Sequence, residues 1–228
     1  MIVTVGIGRR LNWSGKLRRS GLPTRRSECT VTHMPKRGAT LSTSDARREA
    51  VVDAAIAEFA KTGYHGTPIN TVASAAGISP AYVFKLFPSK VELFVAALDR
   101  CYELVERSLA TGAARVPGGD PEKVLHEMGG AYAELIADKG LLMLQVHAQS
   151  AADIPEIADA VRRGLHRVTD YAKTRSDATD DQVQRFMAYG QLCHLITTLG
   201  LDDNEGSWAA ILTAGIRHPH ARTALEGG

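Results

Sequence analysis

Cysteine is scarce in this chain. There are three, Cys29, Cys101 and Cys193, odd in number, far apart and never in a CxxC pair. A disulfide framework is thereby excluded, and a cytoplasmic, reducing setting is the simplest one for such a chain. Long apolar runs are also missing. The best stretch, Gly190 to Leu201, is interrupted by Gln191 and His194 and falls short of the roughly 18–20 residues that cross a bilayer, so no membrane partner is expected. Nor does either charge dominate, since 27 Lys+Arg against 25 Asp+Glu leave +2. Eight histidines are present, yet none falls in HExxH or in a Cys/His cluster, which sets aside a metal site. There is no GxSxG, no phosphate-cradling glycine loop and no paired catalytic constellation, and Gly6-Ile7-Gly8 lacks the third glycine of a dinucleotide fingerprint. Hydrolase and nucleotide-driven chemistry are set aside with them, and no cofactor is expected. What remains, 44% hydrophobic and 23% charged residues, is ordinary for a globular chain and rules out disorder over most of it.

The near-neutral total hides an asymmetry. Residues 1–40 carry nine basic side chains and one acid, Glu28, for +8, whereas residues 41–228 carry eighteen bases and twenty-four acids, for −6. The arginines follow the short apolar stretch Ile2–Ile7 rather than preceding it, the wrong order for an export signal. Three readings of residues 1–33 stand: a disordered extension, with Met34 opening the functional chain; a basic arm adding phosphate contacts to DNA; or a transit peptide.

Residues 41–90 show three short helical patterns. Ser44 suits an N-cap and Asp45 places negative charge in a first turn. Val51, Val52, Ala55, Ile56 and Phe59 then share one helical face until Gly63, with Tyr64-His65-Gly66 as a connection. Thr67-Pro68 reads as an N-cap followed by a first-turn proline, and Ile69, Val72, Ala73 and Ala76 form the stripe of a second helix. Gly77 stops it, Ser79-Pro80 repeats the cap signal, and Val83, Leu86 and Phe87 line the inner face of a third. Two short helices joined by Gly-Ile-Ser have the layout of a helix-turn-helix, whose second helix enters the major groove.

Ala54-Ala55 with Phe59, Gly63-Tyr64, Thr67-Pro68-Ile69, Val72-Ala73, Ala76-Gly77-Ile78-Ser79 and Val83-Phe84-Lys85-Leu86-Phe87-Pro88-Ser89-Lys90 resemble the tetracycline-repressor (TetR) family over residues 44–94. The resemblance implies an all-α homodimer of about nine helices per subunit. Three N-terminal helices bind double-stranded DNA at a palindromic operator; the rest form a ligand pocket and the dimer interface. It further implies a repressor released by a small-molecule effector. By position it assigns DNA contacts to Thr67, Pro80, Ala81, Tyr82, Phe84, Lys85 and Lys90. Thr67 would offer its hydroxyl and nearby amides to a phosphate, Tyr82 and Lys85 would meet phosphate or base edges, and Lys90 matches the family's phosphate-binding lysine. Phe84 departs from the pattern, standing where a tyrosine usually supplies a hydroxyl. Residues 41–90 carry a balance of only +1, so affinity must come from local placement and dimerisation.

Residues 91–217 continue as helices, before a polar tail at 218–228. Ser89 caps a helix bearing Val91, Phe94, Val95, Leu98, Tyr102, Val105 and Leu109, ended by Gly112 and the Pro117–Pro121 cluster. Later helices are expected over 122–137, from Leu141, from Pro155 with Arg162, Arg163 and Arg167, from Asp180 to near Leu201, and over 208–215. Met128, Tyr132, Met143, His147, Met187 and His194 have the character of an adaptable apolar ligand site with polar anchors; ordinary core packing is the competing reading for each. Gly190, Leu192, Leu195, Ile196 and Leu199 suit a subunit-pairing helix. Two other functions remain open: a ligand-independent activator or DNA-bending regulator, and a small-molecule binding protein or enzyme with a degenerate DNA-binding domain.

Overall fold

A computed structural model describes residues 43–216; the basic arm with Cys29 and the polar tail lie outside the described residues. Among the described residues the chain is helical without strands, as the sequence periodicity indicates. The elements are α1 (Thr43–Gly66), α2 (Ile69–Ala75), α3 (Pro80–Leu86), α4 (Lys90–Ala114), α5 (Pro121–Leu135), α6 (Gly140–Ser150), α7 (Pro155–Ser176), α8 (Asp180–Leu199) and α9 (Ser207–Thr213), with 3-10 turns at Ile136–Asp138 and Leu201–Asp203.

Helix α4 is the axis, about 37 Å long at 1.5 Å per residue, and its two halves serve two cores. The N-terminal half joins Leu93, Phe94, Leu98 and Cys101 to Val51, Ala55 and Phe59 of α1, Val72 and Val83 of α2 and α3, and Leu144 and Ala148 of α6. Phe59 and Phe94 meet edge to face at 4.8 Å, each fully buried and each worth about 1.5–3 kcal/mol in removed apolar surface. The other half, with Tyr102, Val105, Leu109 and Ala113, packs on Leu125, Met128 and Tyr132 of α5, Val168 and Ala172 of α7, and Val183 and Cys193 of α8.

Several boundaries differ from the sequence expectation. Thr43 is already helical, so Ser44 lies inside α1 rather than capping it. Gly63 does break helical geometry, with φ 71° and ψ −177°, but the chain resumes a helical turn through Gly66 instead of forming an open connection. Gly112 does not end α4, which runs on to Ala114. A Cβ at Gly112 would lie 2.3 Å from the Glu127 carbonyl oxygen, so this glycine exists to let α4 and α5 cross closely. Gly164 does the same for α7, where a Cβ would fall 2.1 Å from the Tyr102 ring. Three of the four arginines of α7 pair with α4 or with α7 itself: Arg163 faces Asp99 at 3.4 Å, Arg167 faces Glu106 at 3.2 Å, and Arg162 bonds Asp159. Such exposed pairs contribute about 0–1 kcal/mol each.

Candidate DNA-reading face and ligand cavity

Helices α2 and α3 cross through a turn in which Gly77 adopts φ 66° and the Ile78 amide donates to Ala73 O at 3.0 Å. Ser79 caps α3, its hydroxyl accepting from the Tyr82 amide at 3.2 Å, with Pro80 at the first helical position. Val83 and Phe87 are buried, and Leu86 packs partly against the same core. That places Pro80, Ala81, Phe84 and Lys85 on the outer face, with Tyr82 half-buried; Phe84 is 46% exposed.

The lower end of α3 is tied to α1 by a residue that no local spacing singles out. Arg48 donates to the Leu86 carbonyl at 2.6 Å and lies 4.0 Å over the Phe87 ring, placing a cation at a helix C-terminus where the backbone dipole favours it. One residue earlier, Arg47 donates to the Tyr82 hydroxyl at 3.4 Å. The Arg47 guanidinium and the Lys85 ammonium lie 5.8 and 6.0 Å from the Tyr82 ring centre, so two cations gather around one aromatic on this face. Lys90 opens α4 with its ammonium 4.8 Å from the Tyr64 ring, and burial holds its pKa below the usual lysine value.

Thr67 requires correction. It is 1% exposed, and its hydroxyl lies 2.8 Å from Gly63 O as donor and 2.7 Å from the Thr62 hydroxyl. Pro68, not Thr67, is the N-cap of α2, and no side-chain bond caps that helix. The Thr67 hydroxyl therefore fastens the break in α1 to the start of α2 and is not presented to a phosphate.

A cavity of about 490 Å³ opens between the C-terminal half of α4 and helices α5, α7 and α8, within the range of small-molecule sites. Three of the residues expected there line it, Tyr132, Met187 and His194; Met128, Met143 and His147 do not. Met128 is fully buried at the α4–α5 crossing, its Cα within 2.7 Å of where a Cβ on Gly112 would lie. On α6 it is Gln145 that reaches the cavity. Met143 and His147 sit two positions to either side, about 200° around the helix. Met143 packs on the second core, and His147 touches Gly63 instead, where a Cβ would meet its Nδ1 at 3.0 Å.

The cavity's polar end is one hydrogen-bonded group. The Gln145 amide donates to Leu141 O and to the Tyr132 hydroxyl, both at 3.2 Å. Tyr132 is 2.5 Å from His194 Nε2. Among the described residues Nε2 is the acceptor within reach of the phenol proton, and with that assignment the ring proton of His194 resides on Nδ1. That Nδ1 is buried without a partner among the described residues. Burial pushes the His194 pKa down to about 4 and the Tyr132 phenol above its ordinary value, so both stay neutral near pH 7. Gln145 was missed from sequence, where a lone Gln in an apolar run carries no periodic signal.

Helix α8 shows a second face. Leu195 and Leu199 are exposed there, the latter 64%, and on α9 Trp208 and Ile211 are exposed as well, the latter 76%. Ile196 points inward and is fully buried, and Leu192 is half-buried, which narrows the expected pairing strip. Among the described residues no helix is long and apolar enough to cross a membrane.

Comparison with known proteins gives a consistent picture. Residues 51–97, which span α1 to the start of α4, match the family model of bacterial regulatory proteins, tetR family. The chain is 30% identical over 139 residues to the HTH-type transcriptional repressor KstR of Mycolicibacterium smegmatis, covering 60% of this chain and 67% of that protein. It is 34% identical over 59 residues to the HTH-type transcriptional regulator RutR of Escherichia coli K12, covering 26% and 28% respectively. Among solved structures it resembles the transcriptional regulator FadR of Bacillus subtilis in complex with stearoyl-CoA. That match has a TM-score of 0.56 and 15% identity and covers 74% of this chain and 99% of that one; it bears on the fold alone.

Proposed function

The chain belongs to the TetR family of bacterial regulatory proteins, as a DNA-binding transcriptional repressor, and from that premise we propose that it acts as a cytoplasmic homodimer released from a near-palindromic operator by a small molecule. The single observation that carries this reading is the pairing, in one helical body, of an outward-facing recognition helix with a cavity of about 490 Å³. Residues 41–90 are the reader and residues 91–217 the sensor and pairing region. Pro80, Ala81, Tyr82, Phe84 and Lys85 meet the major groove, with Lys90 and Arg47 on phosphates. Phe84, exposed and without a hydroxyl, makes an apolar contact such as one to a thymine methyl.

Pairing occurs through Leu195 and Leu199 with Trp208 and Ile211, an apolar surface that a single subunit leaves in water. It sets the two recognition helices one DNA turn apart, about 34–36 Å. Two helices join the cavity to the reader. Helix α4 lines the cavity with Tyr102 and Val105 and begins at Lys90; α6 brings Gln145 to the cavity and His147 to the break in α1. An effector that prefers the released arrangement by about 1–3 kcal/mol lowers operator affinity about 5–150-fold.

The test combines sedimentation with a reporter. Leu195→Glu with Leu199→Glu should halve the particle mass and abolish tight operator binding, and deletion of the gene should raise output of the controlled promoter. A variant that stays dimeric would refute the pairing face, and lost rather than raised output would make the protein an activator.

A further inference from the structure

The bonds around the cavity also define what kind of molecule fits it. Helices α5 and α8 run side by side in the same direction. Gln182 donates to Glu122 at 3.3 Å near their first turns, and Tyr132 meets His194 further along both. Ten residues of α5 separate these contacts, about 15 Å at 1.5 Å per residue, so the cavity is long rather than round.

Its two ends differ in charge. The carboxylate and the guanidinium of the wall, Glu122 and Arg185, lie together with His126 on the earlier turns of α5 and α8. They are exposed, and Arg185 already pairs with Asp181 at 2.7 Å. Between the ends the wall is apolar, through Val105, Leu109, Leu125, Val168, Phe186 and Met187. The far end holds Tyr132, His194 and Gln145 and no side chain that is charged near neutral pH.

The far end also keeps unused hydrogen-bonding capacity. Both Gln145 amide protons are engaged, with Leu141 O fixing which atom is nitrogen, while Gln145 Oε1 accepts no bond among the described residues. His194 Nδ1, though without a partner among the described residues, has no surface in the cavity, so Gln145 Oε1 is the atom of this group left to a ligand, as an acceptor that calls for a donor. A carboxylate at this end would be a buried charge without a cation, which is costly.

We infer that the effector is an elongated, mainly apolar molecule whose buried end carries an uncharged hydrogen-bond donor, a hydroxyl, seated on Gln145 Oε1 in the Tyr132–His194–Gln145 group. This rests on the effector-binding reading of the cavity. Any charged group of the effector lies at the other end, by Arg185 and His126, in contact with water.

The experiment uses the full-length protein at pH 7.5 and four probes of equal chain length: 2-undecanone, 1-undecanol, undecane and undecanoate. Affinity is read by displacement of the neutral dye Nile red, in the wild type and in Gln145→Leu and Gln145→Met, with thermal midpoints confirming that each variant is folded. The alcohol should bind the wild type more tightly than the ketone, undecane and undecanoate. It should lose about tenfold in whichever variant folds, the equivalent of one hydrogen bond, while undecane binds that variant no more weakly. Undecanoate or the ketone as the tightest ligand, unchanged alcohol affinity in the folded variants, or no displacement by any probe would overturn the inference. The broader reading is tested by the dye itself. Uptake that Gly129→Met blocks supports a ligand-accepting cavity even if the probe ranking is reversed, and no uptake at all removes the cavity as an effector site.

Discussion

Replacing His194 by Gln should make the protein more tolerant of acid. Buried against Tyr132, the His194 imidazole has a folded-state pKa of about 4, against about 6.5 in an unfolded chain. The folded state therefore resists a proton that the unfolded state accepts, and the stability that neutral His194 permits is present in full above pH 6.5. It is lost as pH falls through the window from 6.5 to 4. Integrating the 2.5-unit difference gives a loss of about 2 kcal/mol at pH 5 and about 3 kcal/mol at pH 4. The neighbours do not offset this, because burial raises the Tyr132 and Cys193 pKa values and both stay neutral across the window. His194→Gln keeps an acceptor for the Tyr132 hydroxyl and has no proton to gain. Urea titrations of both proteins from pH 7.5 to 4 should show the wild type falling about 3 kcal/mol further than the variant. Parallel curves would refute the reasoning, since His194 would then be solvated or already paired with an acid.

Other outcomes follow from the same geometry. Gly63→Ala places a side chain at φ 71°, ψ −177° and 3.0 Å from His147 Nδ1, so it should cost about 1–3 kcal/mol by denaturant titration and weaken operator binding through α1. Gly112→Ala should destabilise by about 1–3 kcal/mol or more, because the Glu127 carbonyl that would meet the new Cβ belongs to the backbone and cannot swing aside. An unchanged melting curve would mean that α4 and α5 separate freely. Thr67→Val should cost about 1 kcal/mol of stability by removing the hydroxyl bonded to Gly63 O; were Thr67 only a phosphate contact, the free protein would melt as the wild type does.

How far the sequence could be read depended on the range of each interaction. The stripes of α1 and α4 and the Ser79-Pro80 start of α3 are local, and each stands where its periodicity or capping chemistry places it. Gly112 misled because a glycine that ends a helix and one that admits a neighbour look alike in one dimension. Thr67-Pro68 carried a genuine start signal, yet its hydroxyl found a better acceptor on the preceding turn of α1. The cavity was the least legible part. Its composition pointed to Met and His, but which of them faces inward depends on how α5 and α6 are rotated against α4. Arg48 and Gln145 act across 38 and 13 residues and have no short-range signature.

The central claim is that α3, as held here, reads DNA. The most direct test is sequencing of the random DNA fragments retained by the purified protein at moderate salt, alongside the Tyr82→Ala, Lys85→Ala double variant, with melting curves confirming that both are folded. The wild type should enrich a two-fold symmetric motif with half-sites one DNA turn apart, and the variant should lose it while remaining a folded dimer. No enrichment by the wild type, or the same motif at the same strength from the variant, would contradict the assignment.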